Sequence, residues 1–224
     1  MIRRRGSMTA VYLIRHGLTG GNIQHRYVGR TDEPLCENGI QQICAQKRVY
    51  EQELSTTDDR QVLNKIYVSP MQRCRQTAQL LFPGVEQEEI ADFQEMDFGA
   101  FEYRNYLELA GDPRYQAFID SGGQLDFPEA ESQEHFRTRV VRAFRQCMMG
   151  YPATDQNDGD GVCVFVVHGG TIMAIMEAYA VPHRSYFDWQ IPAGAGYYCE
   201  VEQTGNGFRL MDVREIKADK MVQN

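Results

Sequence analysis

The sequence predicts an α/β fold, a doubly wound three-layer sandwich with a mainly parallel central sheet and an antiparallel C-terminal edge. Strand-like apolar runs alternate with helical segments through most of the 224 residues, which is typical of a parallel sheet covered by helices. The runs at residues 11–14 and 162–167 are apolar without alternation, as in central strands buried on both faces. One domain with one sizeable core is therefore expected.

The first half of the chain reads as strand, helix, strand, helix and strand. In chain order we predict a strand at 11–14, a helix at 37–54, a strand at 65–68, a helix at 71–82 and a short strand at 89–93. The glycine-rich, polar stretch at 17–38 is predicted as a long loop. Ser69-Pro70 stops the second strand, and proline suits the first turn of the helix that follows. Pro83-Gly84 ends that helix.

The second half begins with helices and ends with strands. In chain order we predict helices at 105–120 and 131–150, a strand at 162–167, a helix at 171–180 and strands at 195–202 and 208–214. A segment at 121–128 that contains glycine and proline separates the first two helices. A turn at 154–161, rich in Asp, Asn and Gly, precedes the strongest strand of the chain. The last two strands join around Gly205-Asn206-Gly207, which predicts the antiparallel edge.

The predicted domain covers residues 10–216 and includes a small helical cap insertion at about 100–130. Residues 1–9 are basic, and the apolar run behind them is too short for a secretory signal. We expect them to form a disordered leader. Residues 217–224 are expected to form a C-terminal tail.

Charge and cysteine usage narrow the classes of partner and the compartment. The net charge of −8 argues against nucleic acid and anionic membranes as partners, because both bind basic surfaces. No apolar run approaches the roughly 20 residues that span a bilayer. The six cysteines form no Cys-x-x-Cys pair and have no metal-ligand spacing, which indicates reduced thiols and a cytoplasmic protein. Because the net charge is negative, a site that binds an anion such as phosphate would need a few arginines to make it locally positive.

A histidine follows each of the two most apolar strands. His16 follows Arg15 at the end of the first, and His168 ends the strand at 162–167. In a parallel sheet, ligands bind outside the carboxyl ends of the strands, where helix N-termini present amide N–H groups. Arg73 lies just past a third strand, near a predicted helix N-terminus. We expect these four side chains to converge on one phosphoryl group, whose oxygens the guanidinium groups would bind bidentately.

Four motifs, in this order over residues 12–171, resemble those of the histidine phosphatase superfamily, which has the phosphoglycerate-mutase-like fold. They are Leu13-Ile14-Arg15-His16-Gly17-Leu18-Thr19 with Asn22 and Arg26, Ser69-Pro70-x-x-Arg73-Cys74, Glu95-x-x-x-Gly99 and His168-Gly169-Gly170. Phe98-Gly99-x-Phe101-Glu102, followed by Tyr106-x-Glu108-Leu109, is similar to the α-ribazole phosphatase and broad-specificity branch. Leu18 and Gly21 depart from the usual pattern. The Glu-Ala-Glu-Ser run at 129–132 departs too, and leaves a substrate role for Glu131 open.

The resemblance implies a role for each motif residue. His16 would be the nucleophile that forms a phosphohistidine, and Arg15, Arg73 and His168 would hold the phosphoryl oxygens and stabilise their charge. Glu95 would protonate the leaving alkoxide and then activate water. The expected substrate-binding residues are Asn22, Arg26 and Gly169. Neither a cofactor nor a metal is expected.

The predicted function is a phosphomonoesterase acting on a small-molecule phosphate ester, with α-ribazole 5′-phosphate and sugar phosphates as candidates. A cofactor-dependent phosphoglycerate mutase is the alternative. Such mutases usually carry a longer, more basic insertion between the acid motif and the last histidine, and here this segment is short and acidic. A catalytically silent phospho-ligand binding protein is the second alternative. It predicts loss of the nucleophile or the acid, and both are present.

Overall fold

In the computed structural model, which describes residues 9–55, 63, 65–150, 161–205 and 207–218, six strands form one sheet. They are β1 (Thr9–Arg15), β2 (Lys65–Val68), β3 (Glu86–Glu89), β4 (Val162–Val167), β5 (Gly196–Thr204) and β6 (Gly207–Ile216). Their order is β3-β2-β4-β1-β5-β6, with β3, β2, β4 and β1 parallel. β5 and β6 pair antiparallel at the other edge. The predicted sheet is confirmed.

Helices cover both faces of this sheet. Within the described residues they are α1 (Gly20–Ile23), α2 (Glu37–Ser55), α3 (Gln72–Leu81), α4 (Pro113–Asp120), α5 (Gln133–Gly150) and α6 (Gly169–Tyr179). Consecutive β1 residues point to opposite faces, so Leu13 packs in the core that includes α5 and α6, and Ile14 in the core that includes α2 and α3. Every residue of β4 is buried, as its unbroken apolar run predicts. The three-layer sandwich is therefore confirmed.

The third strand lies earlier in the chain than expected. A short strand was predicted at 89–93, but β3 is formed by the acidic run Glu86–Glu89, and Ala91–Phe93 form a 3-10 turn. β3 pairs in register with β2 at the edge of the sheet, where its side chains remain partly or fully exposed. An exposed edge strand tolerates charged residues, so apolarity does not mark its position.

The helix predicted at 105–120 is shorter than expected. Residues 105–112 form turns, and α4 begins at Pro113. Asp112 caps it by accepting a hydrogen bond from the Arg114 backbone N–H. Proline lacks a backbone N–H and disfavours a helical residue before it, so the helix cannot extend towards the N-terminus.

Three further differences concern α1, the start of α6 and the start of β1. The loop predicted at 17–38 contains α1, whose N-terminus Thr19 caps by accepting a hydrogen bond from the Asn22 backbone N–H. α6 begins at Gly169, earlier than the predicted residue 171. Thr9, assigned to the leader, already belongs to β1.

Several predicted segments cannot be compared with the structure. The rest of the leader, most of the turn at 154–161 and residues 219–224 of the tail lie outside the described residues. Among the helices that are described, none is both long and apolar enough to cross a membrane.

Candidate active site

The two strand-ending histidines lie side by side at the carboxyl edge of the sheet. Arg15 of β1 stands in register with Val167 of β4, and the His16 backbone N–H donates to the Val167 carbonyl (3.0 Å). The imidazole rings of His16 and His168 are 5.1 Å apart between centroids. The parallel pairing of β1 with β4 therefore brings His16 and His168 together, as the sequence predicted.

His16 is held as a neutral imidazole with one defined tautomer. Its Nδ1 lies 2.7 Å from the Gly17 carbonyl oxygen, which can only accept, so Nδ1 carries the proton. Nε2 therefore has the lone pair. Burial, reinforced by the charges of Arg73 and Arg15, holds the pKa of His16 well below its usual range. The ring borders a cavity, and the uncharged Nε2 is available as a nucleophile.

Arg73 and His168 form a buried pair beside His16. The Arg73 Nε donates to His168 Nδ1 (3.3 Å), which places the His168 proton on Nε2, 2.7 Å from Ser69 Oγ. The Arg73 guanidinium also donates to the carbonyls of Thr31 (2.8 Å) and Gly29 (2.9 Å). Both side chains are fully buried, and neither lines the cavity.

Arg15 presents the unsatisfied positive charge of the site. Its Nη1 donates to the Ile191 carbonyl (2.6 Å), whereas its Nε is buried and has no hydrogen-bond partner within the described residues. A buried donor without a partner is costly, and an anion in the adjoining cavity would satisfy it. The guanidinium is thus placed to bind a phosphoryl oxygen.

Glu95 is a buried carboxyl that lines the cavity and is held by backbone groups. Its two oxygens accept from the backbone N–H groups of Met96 (2.9 Å) and Gly170 (2.9 Å). Burial raises the pKa of Glu95, although these hydrogen bonds and two arginines oppose the rise. A Cβ added at Gly170 would collide with Glu95 Oε1, so the carboxyl position requires glycine there.

The three predicted substrate-binding residues all line the cavity. The Asn22 Oδ1 accepts from the Thr19 backbone N–H (3.3 Å), which turns the amide so that its NH₂ donors remain for a ligand. Gly169 is the first residue of α6. The Arg26 guanidinium forms a bidentate ion pair with Glu108 (2.7 and 2.8 Å), so its charge is already neutralised.

The cavity has a volume of about 520 Å³, and apart from these groups, Gln133, Gln190 and several glycines, its walls are apolar and largely aromatic. The apolar side chains are Tyr27, Val28, Met96, Phe98, Phe118, Phe127, Met173, Tyr186 and Phe187. This wall was not predicted from the sequence. The aromatic residues between 98 and 127 were a visible signal, but which rings face the cavity depends on how the segment folds back over the sheet.

Glu131, whose role was open, supports the segment that carries Glu95. It accepts from the Asp97 backbone N–H (3.1 Å) and pairs with Arg139 (2.6 Å). Arg139 in turn donates to the carbonyls of Gln94 (2.9 Å) and Glu95 (3.2 Å). Glu131 does not line the cavity, so its role is structural. Within the described residues, no group of three or more His, Cys, Asp or Glu side chains is placed to hold a metal ion.

Comparison with known proteins shows which family the chain is similar to. The family described as "Histidine phosphatase superfamily (branch 1)" matches residues 11–215. The probable phosphoglycerate mutase GpmB of Serratia proteamaculans is 30% identical over 146 residues, which are 63% of this chain and 64% of that protein. The uncharacterized phosphatase PhoE of Bacillus subtilis is 29% identical over 174 residues, 75% of this chain and 76% of its own.

Solved structures show the same fold. The alpha-ribazole phosphatase from Shigella flexneri superposes with a TM-score of 0.72 at 21% identity, over 94% of this chain and 96% of that one. The crystal structure of TTHB049 from Thermus thermophilus superposes with a TM-score of 0.64 at 25% identity, over 94% and 97% of the two chains.

Proposed function

The chain belongs to the histidine phosphatase superfamily (branch 1), and we propose that it is a phosphomonoesterase that hydrolyses a small phosphate ester through a phosphohistidine. One observation carries the proposal. The neutral His16, with its lone pair on Nε2, borders a cavity beside Arg15, whose buried Nε has no partner within the described residues. A nucleophile and an unsatisfied anion donor thus face the same space.

The first step transfers the phosphoryl group to the protein. The His16 Nε2 attacks phosphorus in line, a P–N bond forms and the ester P–O bond breaks. Arg15, with Arg73 and His168 behind it, stabilises the charge on the equatorial oxygens. Glu95, whose protonated form burial favours, gives its proton to the leaving alkoxide.

The second step releases phosphate. The Glu95 carboxylate takes a proton from water, the oxygen of that water attacks phosphorus and the P–N bond to His16 breaks. Glu95 is then protonated and His16 neutral, so both groups return to the states that burial favours. The Asn22 amide donates a further hydrogen bond to the phosphoryl group.

The walls of the cavity favour an ester with an aromatic body. Rings such as Phe98, Phe118 and Phe127 offer stacking and edge contacts but few polar partners, which suits a heteroaromatic riboside better than a sugar alone. Of the two candidates we therefore favour α-ribazole 5′-phosphate. A small molecule, and neither nucleic acid nor a membrane, is the proposed partner.

Phosphoglycerate mutase remains a second candidate, because GpmB proteins that share about 30% identity carry that name. A mutase must hold the carboxylate of phosphoglycerate as well as its phosphate. The cation that could do so, Arg26, is already paired with Glu108. Phosphatase activity is therefore the better fit to the site.

The test is a search for the phosphoenzyme together with a substrate panel. Wild-type protein mixed with radiolabelled phosphate ester should retain acid-labile, base-stable label, and His16→Ala should retain none and hydrolyse nothing. Activity should survive a chelator. The panel compares α-ribazole phosphate, sugar phosphates, phosphoamino acids and 3-phosphoglycerate with bisphosphoglycerate. Comparable mutase turnover would overturn the phosphatase proposal, and no label with no hydrolysis would indicate a silent binding protein.

A further inference from the structure

The cavity wall carries an arginine away from the proposed phosphate site. Of the described residues that line the cavity, Arg15 and Arg26 are the two with a permanent positive charge. Arg15 lies beside His16, whereas Arg26 follows α1 and meets the cap at Asn105 through an isolated β-bridge. A free cation in that place would attract a second anionic group of a substrate.

Arg26 is not a free cation. Its Nη1 and Nη2 donate to the two oxygens of Glu108 (2.7 and 2.8 Å), and Nη1 also donates to the Tyr103 carbonyl. Its Nε donates to Gln24 Oε1 (2.6 Å). Four of its five N–H donors are thereby occupied. A substrate carboxylate could bind bidentately here only by displacing Glu108.

Glu108 is itself held in place, and a second carboxylate lies nearby. The Asn105 backbone N–H donates to Glu108 Oε2 (3.2 Å), which fixes the carboxylate to the same turn. Glu33 accepts from the Tyr103 hydroxyl (3.2 Å). The hydrogen bonds to Glu108, with the charges of Glu108 and Glu33, raise the pKa of Arg26. Arg26 therefore stands between two carboxylates, and Arg104, whose charge helps to lower the pKa of Glu108, lies on the same turn. The cluster is close to neutral, and Arg26 has no unpaired charge to offer a substrate.

We propose that Glu108 is a specificity-determining residue, which reserves the cavity for phosphate esters whose alcohol part carries no second anionic group. This inference rests on the proposed function and names the substrate class of the same site. A carboxylate on the alcohol part would have to displace Glu108 and would then add a third carboxylate to a cluster whose charges are already paired. An uncharged aromatic body avoids both penalties and contacts the apolar walls.

The test measures binding, which does not depend on turnover. The probes are 4-carboxybenzylphosphonate and its 4-carbamoyl analogue, which match in shape and differ by one charge, titrated by calorimetry at low ionic strength. Wild-type protein should bind the carbamoyl probe more tightly. Glu108→Gln should tighten the carboxylate probe by about two- to fivefold, the range expected for a partly exposed charge pair, and leave the carbamoyl probe unchanged.

Two further variants isolate the charge. In the double variant Arg26→Gln/Glu108→Gln the gain should disappear, because the cation released by the single substitution is gone. Glu88→Gln removes an equally exposed glutamate whose partner, Lys65 on β2, does not line the cavity, whereas the partner of Glu108, Arg26, does. Glu88→Gln should therefore leave both affinities unchanged. An unchanged affinity for the carbamoyl probe shows that Glu108→Gln keeps the cavity intact.

The inference is overturned if Glu108→Gln leaves the ratio of the two affinities unchanged, or if neither probe binds the wild-type protein. Hydrolysis of the matching benzyl phosphates is measured separately. If the probes show the expected ratio and no ester is hydrolysed, the proposed phosphatase function fails while the charge selectivity of the cavity stands.

Discussion

Burial prepares two titratable side chains of the site for opposite tasks. It lowers the pKa of His16 and raises that of Glu95, because a low-dielectric surrounding disfavours the charged form of either group. Both shifts favour the neutral form, which the proposed mechanism requires of its nucleophile and of its acid. Two groups whose pKa values are displaced from their usual ranges within one cavity are the pattern expected of an acid and nucleophile pair.

Replacement of Glu95 by glutamine tests its role as the proton donor. Glu95→Gln should lower the rate of phosphoenzyme formation, measured in a single turnover, by about 10²- to 10³-fold for an alkyl phosphate and far less for 4-nitrophenyl phosphate, because nitrophenolate leaves without a proton. The acid works only when protonated, so this rate for the wild-type protein and the alkyl ester should fall as the pH rises through the raised pKa of Glu95. The pH profile of the variant should lack this decrease. Equal losses on both esters would contradict the assignment.

The loop between α1 and α2 connects Glu102 to Arg73. Glu102 Oε1 accepts from the backbone N–H groups of Gly29 (3.0 Å) and Thr31 (2.9 Å) and from the Thr31 hydroxyl (2.7 Å). The carbonyls of the same two residues accept from the Arg73 guanidinium. A Cβ at Gly29 would collide with the Met96 carbonyl oxygen, so only glycine allows this close approach. Glu102 thus positions Arg73 without contacting it.

Loss of that carboxylate should weaken phosphate binding. Glu102→Ala leaves three donors without their acceptor, and we expect the inhibition constant of inorganic phosphate and KM to rise by about tenfold. Glu102→Gln keeps an amide oxygen and should lose less. Glu51→Gln, on the surface of α2, is the control. If Glu102→Ala lowers the melting temperature but leaves the phosphate inhibition constant unchanged, Glu102 is merely structural.

The sheet as a whole joins the site to the two apolar cores. β4 lies between β2 and β1, and all three are parallel, so the segments that carry His16, Ser69 and His168 leave the same edge. The cores on the two faces hold these strands in register. Phe165, in the middle of β4, packs against the rings of Tyr67 and Phe144, each 5.0 Å away between centroids. Stability of the fold and geometry of the site are therefore coupled through β4.

Truncation of Phe165 measures how much this packing stabilises the fold. Phe165→Ala should lower the free energy of unfolding by about 3–5 kcal/mol, since it leaves a cavity in a fully buried core. Ile119→Ala, half-exposed on α4, should change it by less than about 0.5 kcal/mol. Urea denaturation of the three proteins gives the comparison. A loss under about 1 kcal/mol for Phe165→Ala would mean that the core relaxes around the change.

Local patterns were sufficient for the central strands and the buried part of the site. The strands at 65–68 and 162–167 begin and end where predicted, because their apolar runs are bounded by turn residues and buried in place. The proximity of His16 and His168 could also be predicted, because side chains at the carboxyl ends of neighbouring parallel strands lie at the same edge of the sheet.

The cavity walls and the charge of Arg26 were decided by tertiary structure. β3 forms at an edge that acidic residues tolerate, and its position depends on pairing with β2 rather than on apolarity. The sequence predicted Arg26 as a substrate-binding residue, but in the structure Glu108, 82 residues away along the chain, neutralises its charge. The cap also decides which aromatic rings face the substrate. Periodicity and turn chemistry report contacts between near neighbours in the chain, whereas these features come from contacts between distant segments, which no local pattern encodes.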